Sequence, residues 1–124
     1  DLNIVRGEDS FLRAQAAGVP MIWHIYPQDD DAHLIKLASF LDLMVTAFSP
    51  DSGRFIRSLN MSFTTGDAAS FGSLMEEYGK YRAALEHGAR VWAEKTCSAV
   101  NLADGLVTFI KNKLKYSASA AVKA

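Results

Sequence analysis

Two short apolar strands separated by a helix, all within the first 26 residues, limit this chain most tightly. The first run is Leu2-Asn3-Ile4-Val5, and the second is Met21-Ile22-Trp23-His24-Ile25-Tyr26, opened by Pro20. Both are rich in β-branched or aromatic residues and alternate only weakly, which predicts strands covered on both faces. Between them, residues 10–17 have helix-forming composition, with Phe11, Ala14 and Gln15 on one side and Gly18 as a stop. Strand, helix and strand at this spacing make a βαβ unit, whose crossover forces the strands to be parallel.

After Tyr26 the pattern turns helical. Residues 32–48 place Leu34, Leu37, Ala38, Leu41, Met44 and Val45 on one stripe, ended by Ser49-Pro50-Asp51. Residues 54–63 are apolar without a decisive period and close at Thr64-Thr65-Gly66-Asp67. Two further helices are predicted, over residues 68–88 and 90–116. Leu74, Tyr78, Tyr81 and Leu85 fall near helical spacing in the first, and Leu102, Leu106, Phe109, Ile110 and Leu114 in the second. Trp92 and Phe109 are expected in the core and Cys97 in helix packing. Lys111, Lys113 and Lys115 suit a helix carboxyl terminus, with an acidic partner as the alternative. Residues 117–124 are small and weakly patterned and are expected to fray, leaving residues 1–116 as the structured portion.

Composition narrows the function classes. Hydrophobic residues make up 49% and charged residues 22%, the balance of a globular protein. Lys plus Arg number 13 against 14 Asp plus Glu. With that balance the chain carries no overall field toward nucleic acid or an anionic membrane, so any polyanion site is local and neither is expected as a partner. No apolar run approaches the roughly 20 residues of a membrane span. The single cysteine forms no internal disulfide and suits a reducing compartment, so a cytoplasmic location is expected. Two parallel strands are too few for a stable sheet. Neighbouring strands are therefore expected outside this sequence, which reads as the last part of an α/β domain.

Chemistry is expected where the strands end. Val5-Arg6-Gly7-Glu8-Asp9-Ser10 leaves the first strand and opens the following helix, the edge at which doubly wound α/β folds bind ligands. A helix start offers unpaired N–H groups and a partial positive charge to a phosphate. Gly7 permits close backbone approach, Ser10 adds a hydroxyl, and Arg6 supplies a fork for a diphosphate. The carboxylates of Glu8 and Asp9 repel phosphate and must face other groups, such as sugar hydroxyls or a basic acceptor. The plainer reading makes Asp9 or Ser10 a helix cap and Asp9–Arg13 an ordinary i,i+4 pair.

The second strand ends in Tyr26-Pro27-Gln28-Asp29-Asp30-Asp31-Ala32-His33, on the same sheet edge if the strands are parallel. Gln28 and His33 are candidate ligand contacts. The three aspartates lack the spacing of a calcium loop, so no metal is expected; one should cap the next helix while the others face solvent. His24, inside an apolar strand, reads as a packing residue.

These residues carry a resemblance. Val5-Arg6-Gly7-Glu8-Asp9-Ser10-Phe11-Leu12-Arg13-Ala14-Gln15, then Gly18-Val19-Pro20, Trp23-His24-Ile25-Tyr26-Pro27-Gln28 and Asp31-Ala32-His33-Leu34, strongly resemble the bacterial elongation factor P arginine rhamnosyltransferases. The match is close over roughly the first forty residues. It implies a GT-B enzyme, with two Rossmann-like domains facing across a cleft and the nucleotide sugar held mainly by the C-terminal one. It further implies inverting transfer of L-rhamnose from dTDP-β-L-rhamnose to an arginine of elongation factor P, with no metal or other cofactor. By the resemblance Arg6, Glu8, Asp9 and Ser10 match the motif that lines the donor site, Glu8 being a catalytically sensitive acid; Gln28, a candidate contact on the same edge, is counted with the donor-binding residues. The acids that activate the acceptor arginine and the aromatics that stack on thymine belong upstream of this sequence. The chain is therefore expected to be a C-terminal fragment, inactive alone, that needs the N-terminal domain. Two other readings remain open on the residues themselves: a noncatalytic α/β-helical interaction module, and another Rossmann-type enzyme with a different phosphate ligand.

Overall fold

The computed structural model describes residues 1–97. They form β1 (Asn3–Val5), α1 (Glu8–Ala16), β2 (Met21–Trp23), a 3-10 turn (Asp29–Asp31), α2 (Ala32–Met44), a second 3-10 turn (Val45–Ala47), α3 (Pro50–Thr65) and α4 (Ala68–Cys97). The expected apolar face from Leu102 to Leu114, Phe109 in the core, the lysines at 111, 113 and 115, and the tail at 117–124 lie outside the described residues. Residues 1–94 pack as one unit, and Lys95 begins a second.

The βαβ unit forms as expected. β1 and β2 are parallel, with Asn3, Ile4 and Val5 opposite Met21, Ile22 and Trp23. Flanking bonds run from the Asn3 N–H to the Pro20 carbonyl (2.9 Å) and from the His24 N–H to the Val5 carbonyl (2.8 Å). Both strands are shorter than their apolar runs. The chain turns into α1 just past Val5, so Ile25 and Tyr26 have no ladder partner, although Ile25 stays buried. Coverage on both faces holds for β2, whose Met21 and Ile22 are buried, but Ile4 of β1 is 53% exposed.

α1 starts earlier than expected. Gly7 is its extended N-cap and makes no side-chain bond, so Asp9 and Ser10 stand inside the first turn and neither caps the helix. The acidic pair Glu8 and Asp9 at the amino end favours this start electrostatically. Gly18, at φ +68°, makes the turn back to β2 as a left-handed residue, which glycine adopts without steric cost.

The ambiguous segment at 54–63 is helical. Ser49 caps α3 by accepting from the Ser52 N–H (3.3 Å), Pro50 occupies its first turn, and Gly66 closes it at φ +74°. Ser49-Pro50 thus begins a helix as well as ending the preceding one. Phe55, Ile56 and Leu59 are buried from α3 and meet Leu37, Leu41 and Met44 of α2, Ile22 of β2 and Leu85 of α4 in one core. An aromatic chain joins the layers. Phe11 stacks on Trp23 at 4.1 Å, and Phe40 meets both edge-on.

The expected break near Gly88 does not occur, and α4 runs unbroken through it. Gly88 is buried, and the Phe48 ring lies where a β-carbon at position 88 would stand. This glycine makes room for a neighbour; it does not end a helix. Trp92 is buried as expected, but Cys97 is exposed. Five residues past Trp92, Cys97 is turned about 140° away from the buried stripe.

The packing at Gly88 and the cap at Asp67 can each be tested. Gly88→Ala drives a methyl into the Phe48 ring and should destabilise the protein by about 1–3 kcal/mol, read as a lower urea midpoint; an unchanged midpoint contradicts the packing. Asp67 accepts from the Ser70 N–H (3.1 Å) at the start of α4. Hydrogen bonds from Ser70, its hydroxyl foremost and then its amide, hold the Asp67 carboxyl below its ordinary 3.8. A depressed acid stabilises the fold above its ordinary value, and that contribution disappears as pH falls through the lower folded value. Asp67→Asn keeps a capping oxygen without the charge. The stability gap between wild type and variant should be widest above about pH 5 and shrink as pH falls toward about 3. A gap independent of pH contradicts the cap.

Candidate functional site at the strand ends

Because the strands are parallel, both leave the ladder at the same edge. From β1 come Arg6, Gly7 and the first turn of α1; from β2 come Tyr26, Gln28 and the 3-10 turn. One contact ties the two loops. The Arg6 guanidinium lies over the Tyr26 ring, 4.4 Å from its centroid. Tyr26 is 55% exposed, so ring and cation together form part of the outer surface of this edge. Sequence reasoning misses Tyr26 as a site residue. The available signal is an aromatic residue directly past a strand, on the edge where Arg6 also emerges.

The first turn of α1 presents Glu8, Asp9 and Ser10, all exposed. No side chain caps this turn, which leaves its amides for a ligand. Asp9 pairs with Arg13 (3.3 Å), as the plainer reading expects. Both partners are more than 80% exposed, and such a pair contributes less than about 1 kcal/mol. Among the described residues, Glu8 and Ser10 enter no ion pair or side-chain hydrogen bond. A glycine cap and an exposed hydroxyl thus stand in the first turn of a helix, with an arginine directly before the cap, residue types able to hold an anion.

The second loop is shaped by its backbone. The Gln28 N–H donates to His33 Nδ1 (3.1 Å), closing the turn that carries the aspartates. The structure therefore pairs these two candidates with each other, while the Gln28 side chain makes no hydrogen bond to the Arg6–Ser10 stretch. Asp30 and Asp31 both have positive φ, 57° and 56°. Asp31 holds the N-cap position of α2, but its left-handed backbone departs from the extended conformation of a capping residue, and it makes no cap bond. The expected aspartate cap is thus present in position only. Among the described residues, no three His, Cys, Asp or Glu side chains converge as a metal would require. His24 is half-buried and meets Phe63 edge-on (5.1 Å), a packing role as expected. No helix among the described residues is long and apolar enough to cross a membrane.

Known proteins share both this sequence and this arrangement. The family model described as Elongation-Factor P (EF-P) rhamnosyltransferase EarP matches residues 1–111. The protein-arginine rhamnosyltransferase of Shewanella oneidensis is 43% identical over 111 residues, spanning 90% of this chain and 28% of that protein. That of Pseudomonas putida is 40% identical, spanning 92% and 30%, and that of Neisseria meningitidis 33%, spanning 93% and 31%. The chain thus spans less than a third of the length of these relatives. A solved structure describing EarP-mediated arginine glycosylation of translation elongation factor EF-P superposes with a TM-score of 0.69 at 34% identity, over 90% of this chain and 34% of that one. The strand–helix–strand start followed by helices is therefore the architecture expected for this part of a GT-B enzyme.

The Arg6–Tyr26 contact is open to direct measurement. Arg6→Ala, Tyr26→Ala and the double variant form a thermodynamic cycle, for which an exposed cation–π pair gives a coupling of about 0.5–1 kcal/mol in unfolding free energy. A coupling of zero would mean the two loops are not joined through this pair.

Proposed function

This chain belongs to the elongation factor P rhamnosyltransferase family, and from that premise we propose that it is part of the donor-binding domain of a protein-arginine rhamnosyltransferase. The donor is dTDP-β-L-rhamnose, the acceptor an arginine side chain of elongation factor P, and the setting the cytoplasm. The observation that carries the proposal is that Arg6, laid over the Tyr26 ring, and the uncapped amino end of α1 emerge at one edge of a parallel strand pair.

In this reading the donor diphosphate lies against the first-turn amides of α1, with the Arg6 guanidinium and the Ser10 hydroxyl as further donors. During transfer the bond between the sugar's anomeric carbon and the phosphate oxygen breaks, and a bond to an arginine nitrogen forms on the opposite face. Negative charge grows on the departing diphosphate, where fixed N–H groups and a cation stabilise it most. Asp9 and Gln28 complete the donor pocket. Glu8 acts as the catalytically sensitive acid, directed at the sugar or the acceptor because phosphate repels it. The base that takes the acceptor's proton comes from the rest of the enzyme, as do the contacts to thymine. No metal or other cofactor takes part.

The test uses the full-length protein that carries this chain, with elongation factor P and the rhamnose donor. The expected product is the acceptor protein heavier by one deoxyhexose, located on an arginine by fragmentation. An unmodified acceptor overturns the function. In the same protein, Arg6→Ala and Ser10→Ala should weaken dTDP-rhamnose binding by about tenfold and a few-fold respectively. Unchanged affinities in calorimetry overturn the site.

A further inference from the structure

Asn60 of α3 is 1% exposed, and its carboxamide is turned onto the backbone of β2. Its Oδ1 accepts from the Trp23 N–H (2.9 Å), while Nδ2 donates to the Met21 carbonyl (3.2 Å) and to the Ile56 carbonyl of its own helix (2.9 Å). The partners fix the orientation of the amide, since an N–H must face oxygen and two carbonyls must face the NH2 group. The Met21 carbonyl and the Trp23 N–H point to the same side of β2, away from β1. In a parallel ladder, a residue donates to the carbonyl just before its opposite number and accepts from the N–H just after it. Asn60 makes that pair of bonds. Its side chain occupies the place of the N–H and C=O of one residue of a third strand, opposite Ile22.

We propose that Asn60 is a surrogate strand residue, which ends the sheet at β2 and positions the loop carrying Tyr26 and Gln28. Alternate amides of the strand end are anchored on opposite sides, Trp23 to Asn60 and His24 to Val5. The strand cannot roll about its axis, so the Tyr26 ring under Arg6 stays aimed at the ligand edge. Any further strand joins this sheet at β1. The positioning half of the proposal rests on the donor-site reading of that edge; the strand-surrogate half does not.

Hydrogen exchange in the full-length protein tests the clamp itself. The wild-type Trp23 amide should be protected at least about a hundredfold over an unstructured chain, and exchange at the unstructured rate overturns the clamp. Asn60→Leu fills the volume but deletes both strand bonds, and Asn60→Asp keeps only the acceptor. Both variants should raise the Kd for dTDP, measured by calorimetry, by about fivefold or more, with the KM for elongation factor P unchanged. An unchanged dTDP affinity, or equal losses for dTDP and acceptor, would overturn the positioning role. A protein that transfers no rhamnose would defeat the proposed function, while the Trp23 exchange would still decide the clamp.

Discussion

The parallel ladder between β1 and β2 is only three residue pairs long, yet every candidate site residue takes its place from it. Parallel strands deliver their carboxyl ends to one edge, so residues about twenty positions apart in sequence emerge side by side. An antiparallel pair would send the Arg6 and Tyr26 loops to opposite ends. A ladder this short cannot hold that arrangement alone, because neither face nor outer edge is supplied by the strands themselves. Support comes from the helices. Ile22 is wholly enclosed by them, Trp23 is sandwiched into the aromatic chain through Phe11 and Phe40, and α3 meets the outer edge of β2.

This division of labour separates stability from recognition. The buried residues of α2, α3 and α4 build a conventional apolar core, while the polar residues at the strand ends are almost all exposed and weakly paired among themselves. Surface pairs such as Asp9–Arg13 contribute little to folding. Those side chains are therefore available to a ligand at small energetic cost, and membership in a family of glycosyltransferases fits a surface of that kind.

Much of this is legible in the residues, and the gaps have physical causes. The βαβ start and its parallel sense follow from Ile4, Val5, Ile22 and Trp23 around a short helix, because strand composition and crossover length leave few alternatives. The sequence pattern places the start of α1 too late because Asp9 and Ser10 are better caps than Gly7 in isolation, whereas the chain needs glycine there to leave β1 sharply. Gly88 reads as punctuation because a sequence does not show which ring will lie across a helix. Asn60 carries no signal at all. An asparagine within an apolar stretch looks like a lapse in the pattern until the backbone groups it satisfies, 37 and 39 residues earlier, are known. Local pattern reveals elements and edges, while long-range hydrogen bonds and close approaches depend on the assembled fold.

The uneven anchoring of α4 gives this fold a direction in which it loosens. The buried residues of that helix are Leu85, Gly88, Ala89 and Trp92, whereas its first three turns meet the core through the partly buried Phe71, Leu74 and Tyr78. Close stacking on the core begins at Tyr81, whose ring lies 4.3 Å from that of Phe55. At about 1.5 Å per residue, the lightly held stretch from Ala68 to Tyr81 is roughly 20 Å long. Fraying that starts at Ala68 gives up the Asp67–Ser70 cap and the Phe71–Phe63 contact (5.4 Å), but no fully buried side chain, before it reaches Tyr81. The strand ends depend on the opposite portion, because Trp92 meets Phe40 and Phe40 meets Trp23. An opening at the amino end of α4 would therefore leave in place the half of the helix that supports the ligand edge.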